Sequence, residues 1–316
     1  MVTRIFYATD IHGSEIVFRK FVSAGKFYKA DLVILDGDLT GKAVVPIVKK
    51  WDNTFETTIF ETKYTATSVE EVKKLEGRIA NLGFYPYLTD EKEVEELRAD
   101  PKRVHELFSN LMVKTIEHWV DLIEQNLKGS GIKCFVCPGN DDRFEIDKAL
   151  LKSDYIVNPE GKVLGVDDHH EMISTGYSNP TPWDTPREES EEALGNRIDA
   201  MASKVENIGN CIFNLHCPPY DSGIDLAPQL DENLRQVVKT GQVVMIPVGS
   251  KAVRASIEKH QPLLGLHGHI HESKGARKIN RTLCLNPGTE YQQGILKGII
   301  VNLDEKGLKS HFFTSG

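Results

Sequence analysis

Short apolar runs alternate along this chain with polar loops, and several of those loops are rich in Asp, Asn and His. Arg4-Ile5-Phe6-Tyr7-Ala8-Thr9 predicts a strand that ends in Asp10-Ile11-His12-Gly13-Ser14. From Glu15 to about Lys29 the apolar residues Val17, Phe18, Phe21 and Val22 recur at helical spacing, and Ser14 is placed to cap that helix. Leu32-Val33-Ile34-Leu35 is apolar throughout and runs into Asp36-Gly37-Asp38-Leu39-Thr40-Gly41. Strand, polar loop, helix, strand, polar loop is the grammar of a buried βαβ sheet. In such sheets sites lie beyond the carboxyl ends of the strands.

The pattern changes between about residues 42 and 131. Val44–Val48 and Thr57–Phe60 predict a short hairpin. Ser68-Val69-Glu70-Glu71 then has the form of a capping box that opens a charged amphipathic helix, and two further helical stretches follow at about 91–97 and 103–127. This block reads as a mainly helical insertion between core strands, expected to cap a site or to make an oligomer contact.

Core-like strands resume at Lys133-Cys134-Phe135-Val136, which leads into Cys137-Pro138-Gly139-Asn140-Asp141-Asp142-Arg143. Short strands are predicted near 155–157, 162–164 and 171–174, a helix over about 188–204, and a strand over 211–215 that ends in His216-Cys217-Pro218-Pro219. A helix over about 250–259 precedes the apolar run Pro262-Leu263-Leu264-Gly265-Leu266. Three histidines follow it at every second position: His267, His269 and His271. The tail is strand-rich, over 282–285, 295–302 and 308–313.

Composition adds exclusions. With 316 residues, 40% hydrophobic and 27% charged, the chain is an ordinary globular protein. A formal net charge of −8 disfavours a sequence-independent grip on long DNA or RNA, which needs a basic face, but leaves room for a small phosphorylated substrate. No run of about 18 apolar residues predicts a membrane span. The beginning of the sequence has no signal-peptide pattern, and the five cysteines are an odd count. The expectation is reduced thiols and a cytoplasmic location. Cys134 and Cys137 form a lone CxxC that reads as core packing.

Five apolar strands thus end in metal-type donors: Asp10 and His12; Asp38; Asn140; His216; and His269 with His271. Oxygen and imidazole donors of this kind suit Mn²⁺, Fe, Co²⁺, Ni²⁺ or Zn²⁺. Seven ligands are too many for one ion that keeps a position open, and they suffice for two if one carboxylate bridges.

The ordered set Asp10-Ile11-His12, Gly37-Asp38, Gly139-Asn140-Asp141, His216 and Gly268-His269-Ile270-His271 resembles the calcineurin-like metallophosphoesterases. The likeness spans nearly the whole chain apart from the inserted block. Ser178–Pro182 and Leu215–Tyr220 look most like the Icc-related branch of predicted phosphoesterases. The resemblance implies one α/β (α+β) domain over 1–316, a four-layer sandwich of two mixed sheets flanked by helices, with the insertion at about 42–131. It implies metal one on Asp10, His12 and His271, metal two on Asn140, His216 and His269, and Asp38 as the bridge. Manganese is the favoured cation.

The implied activity is hydrolysis of phosphoesters by a metal-bridging hydroxide. Phosphodiesters of small or nucleotide-like substrates are preferred, because the Icc-like branch points to nucleotide phosphodiesterases. The alternatives are a phosphomonoesterase on the same site and a catalytically weak metal-binding scaffold. His267 falls outside the ligand register and is expected to orient a ligand, touch substrate or supply a proton. The chain departs from the commoner pattern at Asp141, where many relatives have His. Two nearby cations would keep that carboxyl ionised, so Asp141 is expected to orient His216 or another imidazole, or to accept a hydrogen bond from substrate. Arg143 is the candidate for the phosphoryl charge, with Asn140 beside it.

Overall fold

The computed structural model describes residues 2–316. Its first part runs β1 (Thr3–Thr9), α1 (Glu15–Phe27), β2 (Leu32–Asp36), β3 (Val44–Lys49), β4 (Phe55–Ile59), β5 (Thr62–Ala66), α2 (Val69–Asn81), β6 (Tyr85–Asp90), α3 (Glu91–Ala99) and α4 (Pro101–Leu127). It continues through β7 (Lys133–Cys137), α5 (Glu145–Leu150), β8 (Ile156–Val157), β9 (Val163–Gly165), β10 (Glu171–Thr175), α6 (Glu191–Ala202) and β11 (Ile212–Leu215). An arm follows with β12 (Leu226–Pro228), β13 (Val238–Lys239), β14 (Gln242–Val243) and β15 (Met245–Pro247). The chain closes with α7 (Lys251–His260), β16 (Leu264–Leu266), β17 (Gly275–Ile279), β18 (Thr282–Asn286), β19 (Lys297–Asp304) and β20 (Gly307–Ser315).

Two mixed six-stranded sheets form the frame, ordered β20-β19-β1-β2-β7-β8 and β17-β18-β16-β11-β10-β9. Between them lies a mainly apolar layer that includes Ile5, Tyr7, Ile34, Ile212, Leu264 and Leu266. The outer face of the first sheet packs on α1, α4 and α5 through Phe18, Phe21, Leu35, Trp119 and Ile146. The outer face of the second packs on α6 and α7 through Leu194, Ile198, Phe213 and Ile257. The result is the four-layer α+β sandwich expected.

In the first sheet β1, β2 and β7 are parallel, and in the second β10, β11, β16 and β18 are parallel. All the donor loops therefore leave the carboxyl ends of neighbouring strands. The strands are short and almost entirely buried, which explains why they read as continuous apolar runs rather than alternating ones.

The block over 42–131 divides in two. Its helices, of 13, 9 and 27 residues, make it mainly helical. It also holds a four-stranded sheet, β5-β4-β3-β6, where the sequence pattern predicts only a hairpin. That sheet and α2 share a small core of their own, Ile47, Ile59, Ala66, Val72 and Ile79. The capping at Ser68 is present, with its side chain accepting from the Glu71 N–H. By contrast α4 is part of the main fold: it is the crossover between the parallel pair β2 and β7. Met112, Ile116, Trp119, Val120, Ile123 and Leu127 are buried along one stripe of it. Trp119 stacks on Phe18 with ring centroids 4.1 Å apart, and its Nε1 donates to Glu15. The lobe proper is thus the stretch up to α3.

Candidate metal centre

The loops after β1 and β2 continue the strand pairing into the site. The Asp10 N–H donates to Gly37 O, that of His12 to Asp38 O and that of Gly13 to Leu39 O. Asp10, His12, Asp38 and His269 all have positive φ, at 53°, 41°, 49° and 64°. Left-handed backbone at four non-glycine residues costs of order 1–3 kcal/mol each, and such outliers cluster at functional sites. The loops interlock so closely that side chains are excluded between them. A Cβ on Gly37 would sit 2.1 Å from His216 Nδ1, and one on Gly268 would sit 2.4 Å from Asp10 Oδ2.

Two groups of donors result. Asp10, His12, Asp38 and His271 place one ligand atom each within 4.8 Å of one another, and so do Asp38, His216 and His269. Asp38 belongs to both. His12 Nε2 lies 2.9 Å from His271 Nε2 and 3.7 Å from Asp38 Oδ2. His216 Nε2 lies 3.4 Å from Asp38 Oδ1 and 3.8 Å from Asp10 Oδ1. Two imidazole nitrogens sharing an ion at about 2.0–2.1 Å and near right angles stand about 3 Å apart.

Orphaned polar atoms are the test of whether a metal fits, because a buried donor or acceptor without a partner is costly. Asn140 gives its Nδ2 to Thr185 Oγ1 at 2.8 Å, which leaves its buried Oδ1 without a partner. Both ring nitrogens of buried His216 also lack hydrogen bonds. A cation supplies what an amide oxygen and an imidazole nitrogen lack there, and the residues fit it.

The electrostatics agree. Burial disfavours charge on Asp10, but His216 and His271 outweigh it and bring the carboxyl down to about 2. Burial likewise opposes ionisation of Asp38, and His216 and His12 hold it well below the usual carboxylate range. Burial pushes His12 down to about 3 and His269 to about 4, so both imidazoles are neutral, as ligands must be. His216 goes the other way: Asp38, Asp10 and Asp36 overcome its burial and raise it. A proton there stands in for positive charge that the carboxylates attract.

The remaining candidates fall outside the two donor groups, and only Asp141 touches them. His267 is fully buried, with Nδ1 2.7 Å from Leu215 O, and its Nε2 would crowd a side chain at Gly265. It braces the strand that delivers His216. Arg143 packs over the Phe108 ring and donates to Ser109 Oγ, so its guanidinium is committed to α4. Asp141 does not reach His216; it lies 3.9 Å from His12 Nδ1, and its N–H donates to Asp38 Oδ1 at 3.0 Å. Burial and Asp38 push the Asp141 carboxyl up, and Lys42 offsets part of that rise.

Four further residues shape the site without being singled out in the sequence. Asp142, buried, accepts from the backbone N–H groups of Gly139, Leu39 and Thr40 and so ties the loops after β2 and β7; burial and Asp38 raise it to about 6. The doubled Asp after Gly139-Asn140 is its signal. Asp36 accepts from Asn214 and Tyr7 and faces His216 Nδ1 at 3.4 Å. Tyr291 lays its ring 4.9 Å from that of His12. Lys42 touches Asp141. Beside His271 a cavity of about 380 Å³ opens between Lys274, Thr289, Tyr291, Gln292 and Lys297.

Outside the site, the CxxC is core: Cys134 and Cys137 are buried free thiols, and burial pushes Cys134 up to about 12. Among the described residues no helix is long and apolar enough to cross a membrane.

The protein TT1561 of Thermus thermophilus shares the fold, with a TM-score of 0.54 and 14% identity over 100% of this chain and 99% of that one. A structure described as a novel archaeal phosphodiesterase aligns over 99% of this chain and 100% of its own at 13% identity. Its TM-score of 0.39 is too slight a likeness to carry activity across. No family profile matches the chain. It is 30% identical over 171 residues, 53% of its own length and 70% of the relative's, to the uncharacterized protein MJ1162 of Methanocaldococcus jannaschii, and it belongs to that protein's family.

Proposed function

We propose that this protein is a dimetal phosphoester hydrolase acting on small, nucleotide-like phosphodiesters. The observation that carries the reading is the pair of donor groups joined at Asp38, with the orphaned Asn140 Oδ1 beside the second group. Asp10, His12, Asp38 and His271 would hold one divalent cation, and Asp38, Asn140, His216 and His269 the other. When bound, such a pair lowers the pKa of a water and neutralises charge on the phosphoryl oxygens. The protein's part is to fix that geometry: the Asp38 carboxylate is shared, Thr185 turns the Asn140 oxygen inward, and Asp36 faces the outer nitrogen of His216. The cavity beside His271 has room for the organic part of a small substrate.

Manganese is the first cation to try, followed by Fe, Co, Ni and Zn. The Icc-related placement, a cytoplasmic location and self-association through the block over about 42–131 belong to the same proposal. Purified protein given Mn²⁺ is expected to hydrolyse an aryl phosphodiester, and metal analysis to find two ions per chain. Absence of hydrolysis with every one of these cations would sink the reading. A phosphomonoesterase would instead turn over only the mono-aryl ester, and a scaffold would bind metal and turn over neither.

A further inference from the structure

Lys42 is accounted for by no ligand motif. Its ammonium contacts Asp141 Oδ2 and also faces Asp38. Its backbone is pinned with unusual closeness. The Gly41 N–H donates to the Tyr85 hydroxyl at 2.8 Å. A Cβ on Gly41 would lie 2.3 Å from Gly83 O, and one on Gly13 would lie 2.6 Å from Gly41 Cα. Tyr85 opens β6 and Gly83 lies two residues before it, so the lobe presses on the residue just before Lys42. Yet the Lys42 side chain is 45% exposed and that of Asp141 25%. An ion pair this open contributes only about 0–1 kcal/mol, which does not explain a three-glycine junction beneath it. What the junction provides is a cation with a fixed base and a half-exposed tip, paired with Asp141, at the mouth of the site.

The donor groups form the buried floor of the site. A nucleophile that attacks phosphorus from that floor leaves the departing oxygen on the opposite, open side, where Lys42 lies. We propose that Lys42, held by Asp141, hydrogen-bonds the departing oxygen of the phosphoester and carries the negative charge that develops there. The inference rests on the phosphoester reading given above. In the step, the water oxygen forms a bond to phosphorus and gives up its proton to solvent. The bond from phosphorus to the leaving oxygen breaks, and its electron pair stays on that oxygen. The Nζ–H groups stabilise the anion until solvent protonates it. Arg143 cannot take this place, since Ser109 and Phe108 hold it on α4.

The test compares wild type, Lys42→Met and Lys42→Arg, loaded with Mn²⁺, on an aryl and an alkyl ester from one phosphodiester series. Lys42→Met is expected to lower kcat/KM for the alkyl ester by about 10²–10³-fold, the range for losing one donor to a developing oxyanion. The aryl ester, whose leaving group carries its own charge, should lose less than about 10-fold. Lys42→Arg should recover part of the alkyl activity. Metal content by mass spectrometry should be unchanged in both variants. Equal losses on the two esters, no loss, or loss of metal would each overturn the assignment while the phosphoester reading stands. Wild type that hydrolyses neither ester overturns both.

Discussion

The floor and the mouth of this site are built in different ways. On the floor, Asp10, His12, Asp38, Asn140 and His216 are all buried, and they sit at the ends of parallel strands, β1, β2 and β7 side by side in one sheet and β11 in the other. Their meeting follows from the strand order, and their loops are locked by backbone bonds. At the mouth, Lys42, Asp141 and Tyr291 come from loops whose meeting depends on the lobe. Lys42 is set by Gly83 and Tyr85, about forty positions further along the chain. On the proposed reading, metal binding would be a property of the sandwich, and the response to a leaving group a property of the contact between sandwich and lobe.

The largest effect that separates the two is expected at Asp38, which alone serves both donor groups. Asp38→Asn should empty both positions and reduce turnover to background. A partner one step removed from a metal already accounts for about 10–100-fold in affinity, and a shared ligand should exceed that at each ion. Two ions per chain in this variant would show that the groups do not share Asp38. Next in size is Asp36→Asn. Asp36 is buried and faces only the second group through His216. Affinity for one ion should fall by about 10–100-fold and that for the other should hold. Calorimetric titration in which both sites weakened equally would mean that Asp36 supports the frame rather than His216.

Sequence reading succeeds where backbone order positions the residues. The floor is legible because apolar runs mark buried parallel strands and their carboxyl ends share one edge. Strand β16 ends at Leu266 and His269 turns with positive φ, so His267 is left inside while the next two reach the donor groups. Two readings fall short for physical reasons. Nearness to Asp141 in the chain nominates Arg143, and a short turn carries it onto α4 instead. The block over 42–131 looks like one insertion because it separates two core strands. Yet the buried stripe at 112, 116, 119, 120, 123 and 127 has the spacing of a core helix, a signal the sequence does carry. Lys42 has no such signal: a lysine after Thr40-Gly41 looks like any surface lysine until Gly83 folds against Gly41.

The smallest and most discriminating test concerns two glycines of the lobe. Gly83 has φ +84°, and a Cβ there would stand 2.2 Å from His12 O and 3.2 Å from the Tyr291 ring. Gly83→Ala must shift either the lobe or the His12 loop, at a cost of about 1–3 kcal/mol for the backbone strain alone. Because His12 serves the first donor group and Lys42 sits beside the same junction, the loss should appear as weaker binding of one ion and a larger fall on the alkyl than on the aryl ester. Gly77, in the middle of α2, is the control: nothing lies within 4 Å of a Cβ built there. Gly77→Ala should stabilise α2 by about 0.5–1 kcal/mol, since glycine inside a helix is costly relative to alanine, and should leave kcat/KM and metal content unchanged. Hydrogen exchange of the α2 amides with metal titration of both variants measures the difference. If the two substitutions behaved alike, the lobe would be a passenger on the sandwich, and the mouth of the site would owe nothing to it.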